Sequence, residues 1–416
     1  MGLYQQYLQA LNKPFKKLAK IEFLQPDNSV AFTLDNNFKR GYRSKYDTRA
    51  FIQSGTLSVS LQNGQRRKAS ILLSNLDGAF DYAVNKIWFG QRIRLSMGLV
   101  LPDGTEYYLP QGVFYISNPS AVFSPNERTT TLNLVDKWAY LDGSLFGTLE
   151  TSYKIERSDT AGTLWGAISS LLKLSRQDFD EESDKTLQID NVNPIFTNYY
   201  DSGLTSITST IPYEIIVSGD NATLAQVLLE LNGIIVGWIG YDQTGALRVD
   251  ASQNDILDSD KPILWNFTPE NSLLCSLNET YKNNDVYNHV IIIGQSVSGG
   301  EIYGEAKNEN PKSDTNIKLI GRRTYRESQP NYTNTTQCTD LAKFRLKRKT
   351  VLQKSITITS QQLFHLVENN IVTVKRTDKE GSPIEKHLIQ SFSLPIGETG
   401  SMSINCVSVN DLPNLA

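Results

Sequence analysis

Apolar and polar residues alternate along the stretch Thr56-Leu57-Ser58-Val59-Ser60-Leu61. Alternation with a period of two is typical of a β-strand that buries one face. After a polar turn at residues 62–67 the pattern resumes in Ala69-Ser70-Ile71-Leu72-Leu73. Similar segments recur from about residue 18 to 140, separated by turn signals such as Pro102-Asp103-Gly104. At least six short strands with frequent turns predict a sandwich or a barrel here.

The middle of the chain changes from strands to a mixed pattern. Helix-spaced apolar residues predict one helix around 164–172 and a second at 223–231, which we expect Asn232 and Gly233 to end. Two apolar strands then flank a turn at 242–245. The sequence therefore predicts a small α+β region between two longer β regions.

The last part of the chain, about residues 276–410, returns to strand patterns. One helix is expected within it, capped by Thr335 or Thr336. The last turn of that helix is basic and contains Arg345, Lys347, Arg348 and Lys349. Cations at a helix C-terminus are stabilised by the helix dipole, so the position on a helix already accounts for this run.

The start of the chain has helical spacing. Apolar residues recur at steps of three and four through residues 1–20, although Pro14 interrupts them; they are Leu3, Tyr7, Leu11, Phe15 and Leu18. Such a stripe predicts a short amphipathic helix. Because the stripe is narrow and short, we expect it to dock on a neighbouring domain or subunit rather than on a membrane surface.

Together these patterns predict an α+β chain that is mostly β, with two β-barrel domains flanking a small α+β region. The expected limits are an N-terminal arm or helix at 1–17, a first barrel at 18–145, an α+β connecting domain with an acidic segment at 146–279, and a second barrel at 280–416. No internal repeat relates the two β regions by sequence.

Composition excludes several classes of protein. The 416 residues carry 41 Lys and Arg against 44 Asp and Glu, which is not the balance of a globally basic nucleic-acid binder. No apolar run reaches the roughly 18 residues that a membrane span needs, so we expect no stable membrane insertion. The start lacks the features of a secretory signal, and three widely spaced Cys form no disulfide framework. Synthesis in a reducing cytoplasm is therefore expected.

The residues that carry chemistry are few. The three His, at positions 289, 365 and 387, have no metal-ligand spacing and are interpreted as strand or surface residues. Nucleophile elbows and phosphate-binding loops are absent from the sequence. The acidic run at 178–184 lacks the glycine and closing glutamate of a calcium loop and is interpreted as a solvated linker. The sequence therefore predicts no enzyme, no metal and no cofactor.

Charge is segregated along the chain. Residues 1–75 carry twelve cations and four carboxylates, whereas residues 176–220 carry nine carboxylates and two cations. Such segregation favours complementary contacts between domains or subunits. The candidate inter-subunit residues are Lys39, Arg40, Arg43, Lys45, Arg49, Arg345 and Arg348. The loop at 39–46 also mixes cations with aromatics, as single-strand nucleic-acid binders do, and that interpretation is the alternative.

Several segments, taken in order, resemble a known family. The first leads from the strand at Gly55 through the basic turn at 66–68 to Leu73-Ser74-Asn75-Leu76-Asp77-Gly78-Ala79-Phe80. The others are Trp88-Phe89-Gly90-Gln91-Arg92-Ile93-Arg94-Leu95, Gly112-Val113-Phe114-Tyr115-Ile116, Leu134-Val135-Asp136-Lys137-Trp138, Asn288-His289-Val290-Ile291-Ile292-Ile293-Gly294 and Cys338-Thr339-Asp340-Leu341-Ala342. In this order they resemble the baseplate or tail-tip hub proteins of tailed bacteriophages, whose fold also forms the N-terminal region of tail-associated lysins. Residues 1–50 and the acidic middle have no counterpart.

The resemblance implies structural work in the tip of a virion tail. Proteins of this family form a homotrimeric ring in which each chain contributes two tube-like barrels. Such a ring joins a sixfold tail tube, or a distal tail protein, above it to a threefold spike or fibre below it, and DNA passes through its centre. The resemblance thus implies synthesis in the cytoplasm of a bacterial host and assembly into the virion.

Two other functions remain as alternatives. The chain resembles the hub region that accompanies a tail lysin, which degrades peptidoglycan, but because the sequence ends at Ala416, just past the last expected strand, we expect no peptidase or glycosidase domain in it. A carbohydrate-binding adhesin would stack sugars on its tryptophans, which are Trp88, Trp138, Trp165, Trp238 and Trp265. Most of these have apolar neighbours and are expected in the core.

A channel for DNA would constrain the charges around it. Each phosphate neutralised by a cation adds affinity by counterion release, so a basic wall would retard passage. We therefore expect a neutral or acidic channel wall. The basic segments at 39–49 and 345–349 should then lie away from the axis, against acidic surfaces of neighbouring chains or of residues 176–220.

Overall fold

The structure is a computed structural model of the chain. It describes residues 2–25, 29–37, 48–49, 52–75, 78, 80–81, 91–124, 127–156, 164–174, 195–197, 211, 214–235, 238–250, 263–268, 274–282, 286–296, 298–329, 332–350, 353–376, 381, 383–397 and 399–408.

The described elements are mostly strands. The helices are α1 Leu3–Ala10, α2 Leu164–Leu174, α3 Leu224–Ile235, α4 Ile317–Ile320 and α5 Thr335–Lys349, with a 3₁₀ turn at Lys137–Tyr140. The strands are β1 Lys17–Leu24, β2 Val30–Asp35, β3 Thr48–Arg49, β4 Ile52–Ser60, β5 Arg67–Ser74, β6 Arg92–Val100, β7 Glu106–Ile116, β8 Ser120–Ser124, β9 Glu127–Asp136, β10 Tyr153–Ile155, β11 Ile195–Thr197, β12 Ile215–Val217, β13 Trp238–Tyr241, β14 Leu247–Asp250, β15 Ile263–Phe267, β16 Leu274–Lys282, β17 His289–Gln295, β18 Glu301–Lys307, β19 Thr324–Ser328, β20 Gln353–Ser360, β21 Ile371–Lys375, β22 Ile384–Ile396 and β23 Met402–Ser408.

One fifteen-stranded sheet contains strands from both ends of the chain. Its order is β16-β20-β23-β22-β4-β5-β9-β7-β6-β1-β2-β3, with β8 on β9, and with β21 joining β15 to β22. The two β regions meet where β4 pairs antiparallel with β22, opposing Val59 to Phe392 and Leu57 to Leu394. Leu57, Val59 and Leu394 belong to one buried apolar cluster shared by both regions.

The predicted class, α+β and mostly β, is confirmed. The two expected β-barrel domains do not form closed barrels within the described residues, where the strand order is open and runs continuously from one β region into the other. Alternation of apolar residues shows which face of a strand is buried but not which strand lies beside it, so the β4–β22 pairing was not foreseeable. The four domain limits stay predictions.

The second β region divides further. Strands β17, β18 and β19 form a separate three-stranded sheet, covered by α5 on the face that buries Val290 and Ile292. The close approach of α5 depends on Gly304 in β18, because a side chain there would meet the backbone of Thr339 at 2.2 Å. We call this three-stranded sheet with α5 the small sheet. Strands β20–β23 belong instead to the fifteen-stranded sheet, which we call the large sheet.

The middle region is α+β, as expected. Helices α2 and α3 pack with β10, β12 and the β11-β14-β13 sheet around Ile168, Leu228 and Leu247. Helix α3 continues through Asn232 and Gly233 to Ile235, so the expected end at these two residues is wrong. Asn232 is almost fully buried, so this part of the helix is packed, and tertiary packing commonly outweighs the roughly 1 kcal/mol that a glycine costs inside a helix.

Two helix termini also differ from expectation. Helix α1 ends at Ala10, and β1 starts already at Lys17, because Pro14 cannot continue a helix. Helix α5 is capped by Asn334 rather than by Thr335 or Thr336, since the Asn334 side chain accepts a 2.7 Å hydrogen bond from the Thr336 amide. Within the described ranges, no helix is long and apolar enough to cross a membrane.

Candidate assembly site

A buried ion pair also joins the two β regions, in addition to the β4–β22 strand pairing. Arg67, the first residue of β5, pairs with Glu368 in the loop between β20 and β21, and both side chains are almost fully buried. The Arg67 guanidinium also donates to the Gln111 carbonyl oxygen at 3.0 Å. The Gln111 amide in turn donates to the Phe364 carbonyl at 2.8 Å. Strands β5 and β7 are thereby fixed to the loop at 361–370.

Asp136 is the fourth polar residue beside this ion pair. We call Arg67, Glu368, Gln111 and Asp136 the buried joint. The Asp136 carboxylate accepts hydrogen bonds from the backbone amides of Arg66 and Arg67 at 2.8 and 2.9 Å. It also caps the 3₁₀ turn through the Trp138 amide at 3.0 Å. Burial raises the pKa of Asp136 to about 6, against the lowering effect of these amides.

A polar cleft of about 100 Å³ lies beside the buried joint and reaches the middle region. Its described lining comprises Arg66, Asp242, Gln243, Arg248, Glu368 and three neighbours of Glu368. Asp242 accepts bonds from the Thr244 amide at 2.8 Å and from Arg248 at 3.2 Å. Arg66, Asp242 and Glu368 come from three separate regions of the chain, so the cleft marks the place where those regions meet.

The β13–β14 hairpin is attached to the large sheet at the turn after β4. The Ile239 amide donates to the Asn63 side chain at 2.8 Å, and the Gly64 amide donates to the Ile239 carbonyl at 2.9 Å. A Cβ atom at Gly240 would lie only 2.5 Å from Nε of Arg66. Close backbone contacts therefore join the middle region to the first β region.

The N-terminal helix is held by a buried histidine. The Tyr7 hydroxyl donates to His365 Nδ1 at 3.0 Å, and His365 Nε2 donates to the Leu264 carbonyl at 3.1 Å. These partners fix the neutral tautomer with the proton on Nε2. Burial lowers the pKa of His365 to about 4. Helix α1 thus docks on another part of its own chain, in agreement with the expected docking on a domain.

The three histidines lie apart in the fold. His289 in β17 contacts Thr324 at 2.9 Å and Glu305 at 3.1 Å, and His387 in β22 lies 3.3 Å from Glu385. His365 is neither a strand nor a surface residue, which corrects the expectation. Among the residues with described positions, no three His, Cys, Asp or Glu side chains are grouped as metal ligands would be.

The predicted inter-subunit residues are only partly described. Lys39, Arg40, Arg43 and Lys45 lie outside the described residues, and for Arg49 and Arg348 only the backbone, in β3 and α5, is described. Arg345 forms a bidentate ion pair with Glu327 of β19, at 2.8 and 2.9 Å. Its guanidinium therefore stabilises the small sheet within one chain, and its role between subunits stays a prediction.

The tryptophans and the acidic segment are also only partly described. Trp138 is buried in the core of the middle region, while Trp238 and Trp265 are partly buried against apolar clusters. Trp88 and the Trp165 side chain lie outside the described residues, as does the acidic run at 178–184. The three described tryptophans agree with the expected core positions.

The sequence interpretation missed the buried joint, although one signal was present. Arg67 is in phase with Ala69, Ile71 and Leu73, which form the buried face of β5. A cation on the buried face of a strand predicts a buried carboxylate partner. The position of Glu368 had no comparable signal, because it lies in a loop.

The fold defines the general class of protein. No protein-family model and no curated protein matches the sequence. Solved structures match along nearly the whole chain, and those that match include phage tail proteins. The chain therefore has the fold of a tail protein.

Three solved structures show how far this likeness extends. A tail protein from Neisseria meningitidis MC58 is 10% identical with a TM-score of 0.61, over 95% of this chain and 98% of that one. The 43 kDa tail protein of prophage MuSo2 from Shewanella oneidensis is 11% identical with a TM-score of 0.54, over 95% and 100%. A chain of the Francisella PdpA–VgrG complex in its half-lidded form is 11% identical with a TM-score of 0.51, over 98% of this chain and 60% of that one.

Proposed function

We propose that this protein is a structural hub of a phage tail tip or baseplate. It would form a trimeric ring that joins the sixfold tail tube to a threefold spike or fibre and lets DNA pass. The observation that carries the proposal is the match of 95% of this chain with nearly the full length of two tail proteins.

The buried joint supports a role in transmitting force. Arg67, Glu368, Gln111 and Asp136 connect distant parts of the chain, with hydrogen bonds that are almost fully removed from water. Breaking such a group leaves an uncompensated buried charge, so the parts resist separation. A part that transmits force between a tube and a spike needs this rigidity.

The ring would leave its channel free of basic side chains. We propose that Lys39, Arg40, Arg43, Lys45 and Arg49 contact acidic surfaces of a neighbouring chain rather than DNA, together with Arg345 and Arg348. Exposed ion pairs contribute only about 0–1 kcal/mol each, so they would set register and partner choice more than affinity. Reversal of the first four to Glu should then reduce trimer formation, with recovery at higher protein concentration.

Mass in solution and electron microscopy test the proposal. Light scattering should give three times the 46.7 kDa chain mass, and images should show rings with a central channel. Antibodies against the chain should label one end of the tail in whole particles. A monomer at every concentration together with particles unlabelled at the tail tip would contradict it.

The proposed role is not enzymatic. We expect no clearing of peptidoglycan in a zymogram and no zinc bound in a one-to-one ratio by elemental analysis. The likeness to solved tail proteins over 95% of this chain supports this expectation. A clearing zone from the purified chain would instead favour the lysin-associated alternative.

A further inference from the structure

The loop between β18 and β19 is fixed by a buried polar cluster. The amide nitrogen of the fully buried Asn308 lies within hydrogen-bond distance of the hydroxyls of Ser313, Thr315 and Thr350, at 2.8–3.0 Å, and shares its two hydrogens among them. The Asn288 amide donates to the carbonyls of Thr315 and Gly321 at 3.1 and 2.7 Å. The loop from 308 to 323 is therefore held at several points along its length rather than only at its ends.

This fixed loop exposes apolar side chains. Leu319 and Ile320, in the short helix α4, are 68% and 40% exposed. Exposed cations surround them at Lys318, Arg322 and Arg323. The fold buries neither Leu319 nor Ile320, and adjacent exposed apolar residues on an ordered segment are typical of a contact surface. We call these five residues the basic knob.

A surface of opposite character lies on the middle region. Ile216 in β12 is 56% exposed and is paired across the ladder with Lys154 of β10. Glu156 and Glu214 lie beside it, 67% and 45% exposed, and both carboxylates contact the Lys154 ammonium, at 3.3 and 2.8 Å. We call these four residues the acidic patch, which has an apolar centre and a net negative charge.

We propose that the basic knob of one copy of this chain seats on the acidic patch of the next copy. The apolar centres of Leu319 and Ile216 would be buried together, while Arg322 and Arg323 would face Glu156 and Glu214. Apolar groups at the centre of an interface contribute most of its free energy, and the charges around them select the partner and the register.

The contact uses different surfaces on its two sides. A contact of this kind repeats from copy to copy and closes into a ring when the rotation between copies divides a full turn. A threefold ring requires such a head-to-tail contact, because two identical surfaces that face each other produce only a pair. The inference rests on the trimer of the proposed function and identifies the surfaces that would form it.

Cysteine pairing tests the contact directly. In a Cys275→Ser background, the double variant Leu319→Cys with Ile216→Cys should form, on mild oxidation, a covalent ladder that ends at three chains. The remaining native Cys338 and Cys406 are buried. The control double variant Phe123→Cys with Ile216→Cys, which uses a side chain 77% exposed on β8, should form no such ladder. Equal yields from both double variants would overturn the inference.

Charge reversal gives a second measurement. Arg322→Glu with Arg323→Glu should raise the concentration for half-assembly about tenfold, as expected for two exposed ion pairs. Adding Glu156→Lys, Glu214→Lys and Lys154→Glu, which reverses the patch but keeps its internal ion pairs, should restore it. The control Lys343→Glu, at an exposed position of α5, should change nothing. Thermal unfolding of each variant must match the parent, so that lost assembly is not lost folding.

The outcomes separate the inference from the proposed function. A trimer that forms without the specific ladder and ignores the charge reversals overturns the knob–patch contact and leaves the trimeric hub intact. A specific ladder from a protein that stays monomeric without oxidation supports the contact and contradicts the trimer. If neither a trimer nor a ladder forms, both the knob–patch contact and the trimeric hub are overturned.

Discussion

The large sheet and the small sheet are stabilised in different ways. The large sheet joins the two ends of the chain across a broad apolar core, to which both β4 and β22 contribute, and across the buried joint at Arg67. The small sheet has a far smaller described core around Val290 and Leu341. It depends more on close backbone contact at Gly304 and on the polar cluster at Asn308.

The two sheets should therefore unfold in different ways. Long-range pairs in the large sheet couple distant segments, so one broken pair should destabilise the whole sheet. Short-range contacts in the small sheet should fail locally, because cooperative units open with their own free energies. Unfolding in denaturant reports the first effect, and amide hydrogen exchange, resolved by segment, distinguishes the two.

The largest effect is expected at the buried joint. Glu368→Ala leaves the Arg67 guanidinium buried without its carboxylate, which should lower the free energy of unfolding by about 3–5 kcal/mol. Amides of β5, β7 and β22 should exchange faster together, while those of β17 and β18 should not change. Urea unfolding with exchange mass spectrometry measures both.

Two further variants control this prediction. The exposed Glu301→Ala should have little effect, and Arg67→Met combined with Glu368→Leu should recover much of the loss, because no buried charge then lacks a partner. A Glu368→Ala protein as stable as the Glu301→Ala protein would show that the ion pair does not hold the large sheet together.

Acid should weaken the large sheet at the α1 contact. The pKa of His365 is about 4 in the folded chain and about 6.5 when unfolded, so the unfolded state binds its proton first as pH falls. Stability from His365 is present above pH 6.5 and is lost between 6.5 and 4, up to about 3 kcal/mol. Urea unfolding at several pH values should show this loss.

Asp136 acts in the opposite direction in the same range. Its folded pKa of about 6 lies above the usual value of 3.8, so its contribution to stability grows as pH falls through 6. The difference between the parent and His365→Gln therefore isolates the histidine. Identical pH dependence in the two proteins would contradict the assignment to His365.

A local effect is expected at Gly304. Gly304→Ala places a methyl group against the Thr339 backbone, so α5 must shift, and overpacking of this kind costs about 1–3 kcal/mol. Exchange should accelerate in β18 and α5 only. The matched control is Gly300→Ala in the preceding turn, where the nearest atom is 3.5 Å away; it should be neutral or stabilise by up to about 1 kcal/mol. Accelerated exchange throughout the large sheet in Gly304→Ala would contradict the proposed independence.

The smallest effect is expected at the Arg345–Glu327 pair. Burial acts to raise the pKa of Glu327, but the hydrogen bonds and charge of Arg345 hold it below its ordinary value. Arg345→Lys keeps the charge but loses the bidentate contact, which should reduce the free energy of unfolding by less than about 1 kcal/mol. The Glu327 pKa, followed by NMR, should rise, whereas Lys343→Arg should leave it unchanged.

Local patterns in the sequence located the strands and turns better than they identified which strands pair. Alternation located β4 and β5, and the turn signals at Gly104 and Gly245 coincide with glycines at φ of +85° and +81°. Neither pattern indicated that β4 pairs with β22, because register between distant strands depends on packing of the whole chain. The structure was needed to place Leu319 and Ile320 on a fixed, exposed loop, since their apolar character alone predicts burial.

The hydrogen bond between Tyr7 and His365 spans 358 positions of the chain, which affects how the protein is made. At about 5–20 residues per second, a ribosome would need roughly 20 to 70 seconds between these two residues. For most of that interval, and until β22 follows, β4 lies beside β5 with its other edge unpaired, and such an edge favours pairing with foreign chains. The small sheet needs no such wait, because all its strands and α5 come from adjacent sequence. Protection of nascent β4 should therefore raise the yield of folded protein.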